Sequence, residues 1–239
     1  MPSNSIIYLI PSFLHENTVE TIPSYIIDAI KNCQVIFAEN ERTARRYLKS
    51  IYKEIVIDDY EWFTIHNTEE AQLAVFRERI KEGKNIAIIS EAGCPGIADP
   101  GQILIAAAQN MNVTIKPLVG PSSVLLALMA SGLNGQQFQF IGYLPIDGHQ
   151  RNLKLKELED ESAKKKCTQI FIETPYRNNQ MLESVLKICK PSTKICIASE
   201  LTAATEFIKT KTIADWRNEK TDLHKKPVIF LLLAMPASL

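Results

Sequence analysis

Short apolar runs recur along the chain, and longer stretches with helical spacing separate them. Ile6 to Ile10, Val35 to Ala38 and Ile86 to Ile89 are continuous apolar runs, the pattern of strands buried on both faces of a parallel sheet. Glu54 to Ile57 and Val113 to Ile115 read as shorter strands. Between them, Val19 to Ile30 places Ile22, Ile26, Ile27 and Ile30 at helical intervals, and Arg42 to Ile51 reads as a basic helix. Thr68 to Lys81 repeats Ala71, Val75, Phe76 and Ile80 on one face, with Thr68 and Glu70 as its capping signal. Ile103 to Ala108 reads as one more helix. This βαβα order predicts an α/β fold whose first part is a mostly parallel wound sheet.

The run Pro117 to Ser122 punctuates the middle of the chain, which sets the expected boundary between an N-terminal α/β domain, 1–117, and a C-terminal α/β domain, 118–239. Ser122 or Ser123 is placed to cap a helix from Val124 to Ala130. The second half predicts strands near Gln137 to Ile141, Gln169 to Glu173, Lys194 to Ala198, Thr205 to Lys209 and Val228 to Leu233. Helices are expected near Asn152 to Ser162 and Asn178 to Lys190. Successive strands without long helices between them indicate a mixed sheet. The charged run Glu157 to Lys166 reads as a solvated helix end and loop.

Composition narrows the function classes. The formal net charge is zero, with 27 basic and 27 acidic residues, so no basic excess signals a standing nucleic-acid complex. Five scattered cysteines form no CxxC pair, which supports neither a metal site nor a disulfide framework and fits a reducing cytoplasm. No signal peptide is read at the N-terminus, and the longest apolar run, Val228 to Met235, is far shorter than the ~20 residues of a membrane span. Neither a membrane nor a metal is therefore expected.

The densest local signal is Ser90 to Gly101, SEAGCPGIADPG, between a buried strand and a helix. Gly93, Gly96 and Gly101 permit close backbone approach to a ligand, and Pro95 and Pro100 stiffen the loop. In open α/β sheets such a loop sits at the carboxyl ends of the strands, where ligands bind. The first strand ends in Pro11-Ser12-Phe13-Leu14, and no glycine precedes Gly83, so neither a dinucleotide-binding glycine motif nor a P-loop is present.

Ordered along the chain stand Ala38-Glu39 with Arg42, Thr43, Arg45 and Arg46, then His66-Asn67, then the loop from Ser90, then Gly120-Pro121-Ser122 with Ser131-Gly132-Leu133. Gly142-Tyr143-Leu144-Pro145, Glu173-Thr174-Pro175-Tyr176-Arg177 and Glu200-Leu201-Thr202 follow. In this order the chain resembles the tetrapyrrole-methylase-like S-adenosylmethionine-dependent methyltransferases. Within them it is most similar to the bacterial small-subunit ribosomal RNA (cytidine-2′-O)-methyltransferases, from about Ile6 to Leu233.

The resemblance implies a two-domain tetrapyrrole-methylase-like fold, a cytoplasmic homodimer, and S-adenosylmethionine held in a cleft between the domains. It places cofactor contacts on Pro11, Ser90, Glu91, Ala92, Gly93, Pro95, Ser122, Ser123 and Thr174, with Leu201 and Pro227 as further positions. Arg42, Arg45, Arg46, Asn67, Tyr176 and Arg177 are the implied acceptor-binding positions. The acceptor implied is ribosomal RNA or the small subunit, methylated on a ribose 2′-oxygen; a small molecule such as a tetrapyrrole is the alternative. A third reading is a non-catalytic dimeric module that binds the cofactor.

Transfer to a hydroxyl benefits from a base, for which Glu39, His66, Glu91 and Asp99 are the candidates. Two readings stand for each. Glu91, where the family pattern has Asp, also fits a cap or ion pair, and Asp99 before Pro100 also fits an Asx turn. His66 also fits a satisfied histidine. Arg42, Arg45 and Arg46 share one helix face that either clamps phosphates or is solvated and paired with Glu39 or Glu41. Tyr176 and Arg177 either line a cleft or start the next helix, and Cys94 reads as a small loop residue. The segment Ser12 to Asn17 departs from the family pattern on the acceptor side.

Overall fold

The computed structural model describes residues 5–16, 18–65 and 69–234. They fall into two compact units, Met1–Ser122 and Ser123–Leu239. This division lies after the residues 118–121 rather than before them. The reason is local: Leu118 N–H donates to the Leu9 carbonyl (3.1 Å), and Gly120 packs directly against Pro11, so this segment adheres to the first unit.

The first unit is built on a five-stranded parallel sheet in the order β3-β2-β4-β1-β5, with β1 Ile6–Ile10, β2 Val35–Ala38, β3 Glu61–Thr64, β4 Ile86–Ile89 and β5 Thr114–Pro117. The wholly apolar runs occupy the three central positions. The more polar EWFT and TIKP take the edges, where one side faces solvent. Helices α1 (Ile26–Lys31) and α2 (Glu41–Ile51) bury Ile26, Ile30, Tyr47 and Leu48 on one face against Ile10, Ile36 and Ile89. On the other face, α3 (Glu69–Lys81) and α4 (Gln102–Asn110) bury Phe76, Ile80 and Leu104 against Ile7, Phe37 and Ile88.

Two expectations fail in this unit. Ile55 and Ile57 pack into the core as a loop ending in a 3-10 turn, Ile57–Asp59, and the third strand forms instead at Glu61–Thr64, where Phe63 stacks on Phe37 with ring centroids 4.9 Å apart. Ile55 and Ile57 meet the core as the apolar run predicts, but the run forms no strand. The long helix from Val19 is also interrupted. Pro23 lies between a 3-10 turn, Val19–Thr21, and the short α1, because its ring cannot continue a helix that started upstream. The start of α3 falls at Glu69, and the expected cap Thr68 lies outside the described residues.

The second unit contains a mixed sheet in the order β6-β7-β10-β8-β9, with β6 Phe138–Tyr143, β7 Thr168–Ile172, β8 Lys194–Ser199, β9 Phe207–Thr212 and β10 Val228–Leu233. Only β6–β7 is parallel; the other three pairings are antiparallel. Helix α5 is Ser123–Ser131. Helices α6 (Gly148–Lys165) and α7 (Asn178–Ile188) bury Leu155, Leu158, Met181 and Val185 against Phe171, Ile195 and Phe230, and a short α8, Ile213–Trp216, adds Trp216.

The run Glu157 to Lys166 is less solvated than its charge predicts. It is helical to Lys165, and inside it Glu159 is 3% exposed and accepts from the Lys190 N–H (2.7 Å) and the Thr193 hydroxyl. A buried carboxylate here closes the turn that follows α7.

Candidate functional site

The strand order of the first unit creates one position where ligands are expected. The connection after β1 runs to β2 on one side of the sheet, and the connection after β4 runs to β5 on the other. Adjacent strands whose connections leave in opposite directions open a crevice between their carboxyl ends. Pro11-Ser12 and the loop from Ser90 occupy that place.

The crevice floor is locked by main chain. Ser12 N–H donates to the Gly93 carbonyl (2.8 Å), and Gly93 N–H donates back to the Ser12 carbonyl (3.1 Å). The Ser12 hydroxyl donates to the Ser90 carbonyl (2.8 Å), and the Ser90 hydroxyl points back toward the Gly93 carbonyl (3.3 Å). Gly93 supports this with φ +75°, a conformation that strains any residue bearing a Cβ. The Tyr47 hydroxyl of α2 donates to the Pro11 carbonyl (2.6 Å) and ties the end of β1 to the helix. A Cβ added to Gly120 would stand 2.2 Å from Pro11 Cβ, so this wall admits only bare backbone.

Acidic groups gather at the same edge. Glu39, at the end of β2, is buried and accepts the Glu91 N–H on Oε2 (2.9 Å). The Glu91 carboxylate is exposed and accepts the Thr43 hydroxyl (3.0 Å). Asp99 is pushed up to about 7, first by burial and then by the negative charges of Glu39 and Glu91. No described cation pairs with Glu91 or Asp99. Burial, with Asp99 nearby, also raises the Cys94 thiol, which fits a small loop residue rather than a nucleophile.

The structure therefore brings Pro11, Ser90, Glu91, Ala92, Gly93 and Pro95 to one strand edge with Glu39 and Asp99, and Ser122 closes the same unit. Ser123 is the first residue of α5 in the second unit. His66 and Asn67 lie outside the described residues. Of the three arginines, Arg45 is already engaged. It pairs with Glu41 (2.6 Å) and lies over the Trp62 ring, 4.9 Å from its centroid. It belongs to the paired reading of that helix face, whereas Arg42 and Arg46 are exposed and carry no ion pair to a described residue.

In the second unit, the segments that carry Thr174, Leu201 and Pro227, after β7, after β8 and before β10, are joined through neighbouring residues by main-chain bonds. Glu200 N–H donates to the Pro227 carbonyl (3.0 Å), and Lys225 N–H to the Pro175 carbonyl (2.9 Å). Arg177 precedes α7 and pairs with the buried Glu173 (2.6 Å), which also accepts the Thr174 N–H. Arg177 is thus an internal strut of the turn, while Tyr176 is 71% exposed. Tyr47 is a residue that the sequence did not single out, while Ser12 and Thr43 stood in it only as members of longer motif segments. The signal for Tyr47 is its i, i+4 spacing from Thr43 on α2.

Comparison with known proteins identifies the family. Residues 22–216, most of the chain, match the family described as Tetrapyrrole (Corrin/Porphyrin) Methylases. The chain belongs to the tetrapyrrole methylase family. Among its relatives in sequence is the ribosomal RNA small subunit methyltransferase I of Vibrio cholerae, 30% identical over 231 residues, which cover 95% of this chain and 76% of that protein. The protein of the same name from Bacillus subtilis is 33% identical over 217 residues, covering 90% and 70%. In structure, the tetrapyrrole methylase fold is shared with the methyltransferase CobJ, at a TM-score of 0.62 and 18% identity over 96% of this chain and 93% of that one. The uroporphyrin-III-C-methyltransferase of Thermus thermophilus follows at a TM-score of 0.55 and 15% identity, covering 96% and 92%. These two likenesses speak to fold alone. Membership of the family makes the chain a methyltransferase.

Proposed function

We propose that this methyltransferase moves the methyl group of S-adenosylmethionine to a ribose 2′-hydroxyl of small-subunit ribosomal RNA. The observation that carries the reading is the near full-length similarity to relatives named for ribosomal RNA, at 30% identity over 95% of this chain. The structural neighbours named for small molecules stand at 18% and 15%.

The first unit fits such a donor. Its crevice has a wall where no Cβ is admitted and an acidic edge where burial, and then the charges of Glu39 and Glu91, raise Asp99 to about 7. A ligand bearing a sulfonium and an ammonium relieves that repulsion. Pro11, Ser90, Glu91, Ala92, Gly93, Pro95 and Ser122 are the residues that would hold it. When bound, S-adenosylmethionine supplies an activated methyl carbon, so the protein's task is alignment and proton removal.

Asp99 is the base that this geometry favours. Glu39 is committed to the Glu91 N–H and Glu91 to the Thr43 hydroxyl, whereas Asp99 titrates close to the working pH. Its carboxylate would take the proton from the acceptor hydroxyl, while S-adenosylmethionine, when bound, would supply the methyl group and leave as neutral S-adenosylhomocysteine. Rate should therefore rise with pH through the region of Asp99 titration.

A homodimer and a cytoplasmic location belong to the same reading. The homodimer is supported by the family resemblance, and the cytoplasmic location by that resemblance and by five free cysteines, which fit a reducing compartment. The test of function is transfer of labelled methyl groups to ribosomal RNA isolated from cells that lack the protein, followed by mapping of ribose methylation. Label in small-molecule extracts instead of RNA would reverse the choice of acceptor.

A further inference from the structure

Beside the crevice lies a cavity of about 320 Å³, lined by Phe13, Leu14 and Glu16 after β1, by Thr43, Arg46, Tyr47 and Ser50 on α2, and by Glu91 and Ala92 of the loop. We propose that it is the subsite for one nucleotide of the RNA acceptor, with the base on Phe13 and its phosphate on Arg46. This rests on the reading of RNA as the acceptor and adds to it a pocket, a stacking role for Phe13 and a specific partner for Arg46.

Four features of the cavity point to that occupant. Its volume is at the low end of the ~300–1,000 Å³ of small-molecule sites, the size for a single nucleotide rather than a macrocycle. Its apolar wall is aromatic. Phe13 is held edge-on by Tyr47 with centroids 5.2 Å apart, and Tyr47 is itself fixed to the Pro11 carbonyl, so the Phe13 ring is a half-exposed platform on a rigid support. A base stacks on such a ring whatever its identity.

The third feature is charge. Met1–Ser122 carries 11 Lys and Arg against 15 Asp and Glu, so an RNA phosphate is repelled by this unit unless a local cation receives it. Arg42 and Arg46 stand one turn apart on α2, exposed and without an ion pair to a described residue, and Arg46 lines the cavity. Their neighbour Arg45, turned to Glu41 and Trp62, is spent on the fold. Fourth, Glu91 and Ala92 belong both to the cavity and to the loop Ser90–Gly101, which places the occupant against the donor residues. Thr43 and Ser50 add hydroxyls suited to ribose and phosphate oxygens.

The test uses the full chain and a short single-stranded oligoribonucleotide copied from the mapped methylation site. Its binding is followed by fluorescence anisotropy at several salt concentrations, and S-adenosylmethionine binding is followed in parallel by calorimetry. Arg46→Gln is expected to weaken RNA binding and to lower the slope of log affinity against log salt by about 0.7, one phosphate's worth on a single strand. Phe13→Leu, which keeps an apolar side chain against Tyr47, is expected to weaken RNA binding about tenfold with little change in salt slope. Both variants should bind the donor as the parent does. An unchanged RNA affinity and salt slope in both variants overturns the proposal, and so does a loss of donor binding equal to the loss of RNA binding, which marks the wall as structural. If the parent protein methylates no RNA at all, the reading of the acceptor fails first and takes this subsite with it; parent activity with indifferent variants removes the subsite alone.

Discussion

Two carboxylate clusters in this protein have opposite electrostatic fates. At the end of β7, Glu173 is buried with its side chain 1% exposed, and the guanidinium of Arg177 and the Thr174 N–H satisfy one oxygen. At the ends of β2 and β4, Glu39, Glu91 and Asp99 lie within mutual influence, and no described cation pairs with Glu91 or Asp99. The first cluster holds a turn in shape. In the second, burial first and the negative charges of Glu39 and Glu91 second raise Asp99 to about 7, a cost to the fold that a cationic ligand would lower. Charge that is balanced internally marks structure here, and the strand edge where Glu91 and Asp99 pair with no described cation is where we propose the chemistry.

The sharpest way to break this contrast is to neutralise one member of each cluster. Asp99→Asn should lower methyl transfer by about 10²–10⁴-fold, the span of a lost general base, while donor binding persists. Retention of full activity would assign the base elsewhere. The same substitution should raise the thermal midpoint, because it deletes a charge the fold resists. A carboxyl raised in the folded state loses stability as pH climbs from its ordinary value near 3.8 through about 7, so the gain should be larger at pH 8 than at pH 5.

Arg177→Ala should do the reverse. It leaves the Glu173 carboxyl group buried without its guanidinium partner, with Oε2 already lacking a hydrogen-bond partner among the described residues, and should lower the midpoint of urea unfolding. Arg177→Ala combined with Glu173→Gln should recover much of the loss.

A smaller effect tests the wall rather than the charge. Gly120→Ala forces a methyl group against a proline ring that Tyr47 holds in place, and should cost about 1–3 kcal/mol by overpacking, together with donor affinity. The smallest is Thr43→Ala, which removes the hydroxyl that orients Glu91 and should cost roughly 1 kcal/mol or less in donor affinity measured by titration.

The parts of the fold legible in the sequence are those where periodicity and burial coincide. β1, β2, β4 and β10 stand at the bounds their apolar runs predict, because strands buried on both faces leave no ambiguity of register. The third strand was misplaced because Ile55 and Ile57 serve the core from a loop, and burial alone does not distinguish a plug from a strand. Pro23 was visible and outweighed by four isoleucines at helical spacing, although only Ile26 and Ile30 of them are fully buried. In the site, glycine and proline density identified the loop, since backbone approach to a ligand requires those residue types. The division of labour among acids and arginines was not legible. Whether Arg45 meets Glu41 or a phosphate, and whether Arg177 faces outward or back to Glu173, is decided by side-chain reach in three dimensions, which residue spacing leaves open.

The central claim is that the acidic strand edge of the first unit receives the cationic methyl donor. Calorimetric titration of S-adenosylmethionine at pH 7, repeated in buffers of different ionisation enthalpy, tests it most directly. A bound cation lowers the Asp99 pKa, so binding should release a measurable fraction of a proton, and the release should vanish in Asp99→Asn while the donor still binds. Binding without proton release in the parent protein, or no heat of binding from a folded protein, would contradict the account.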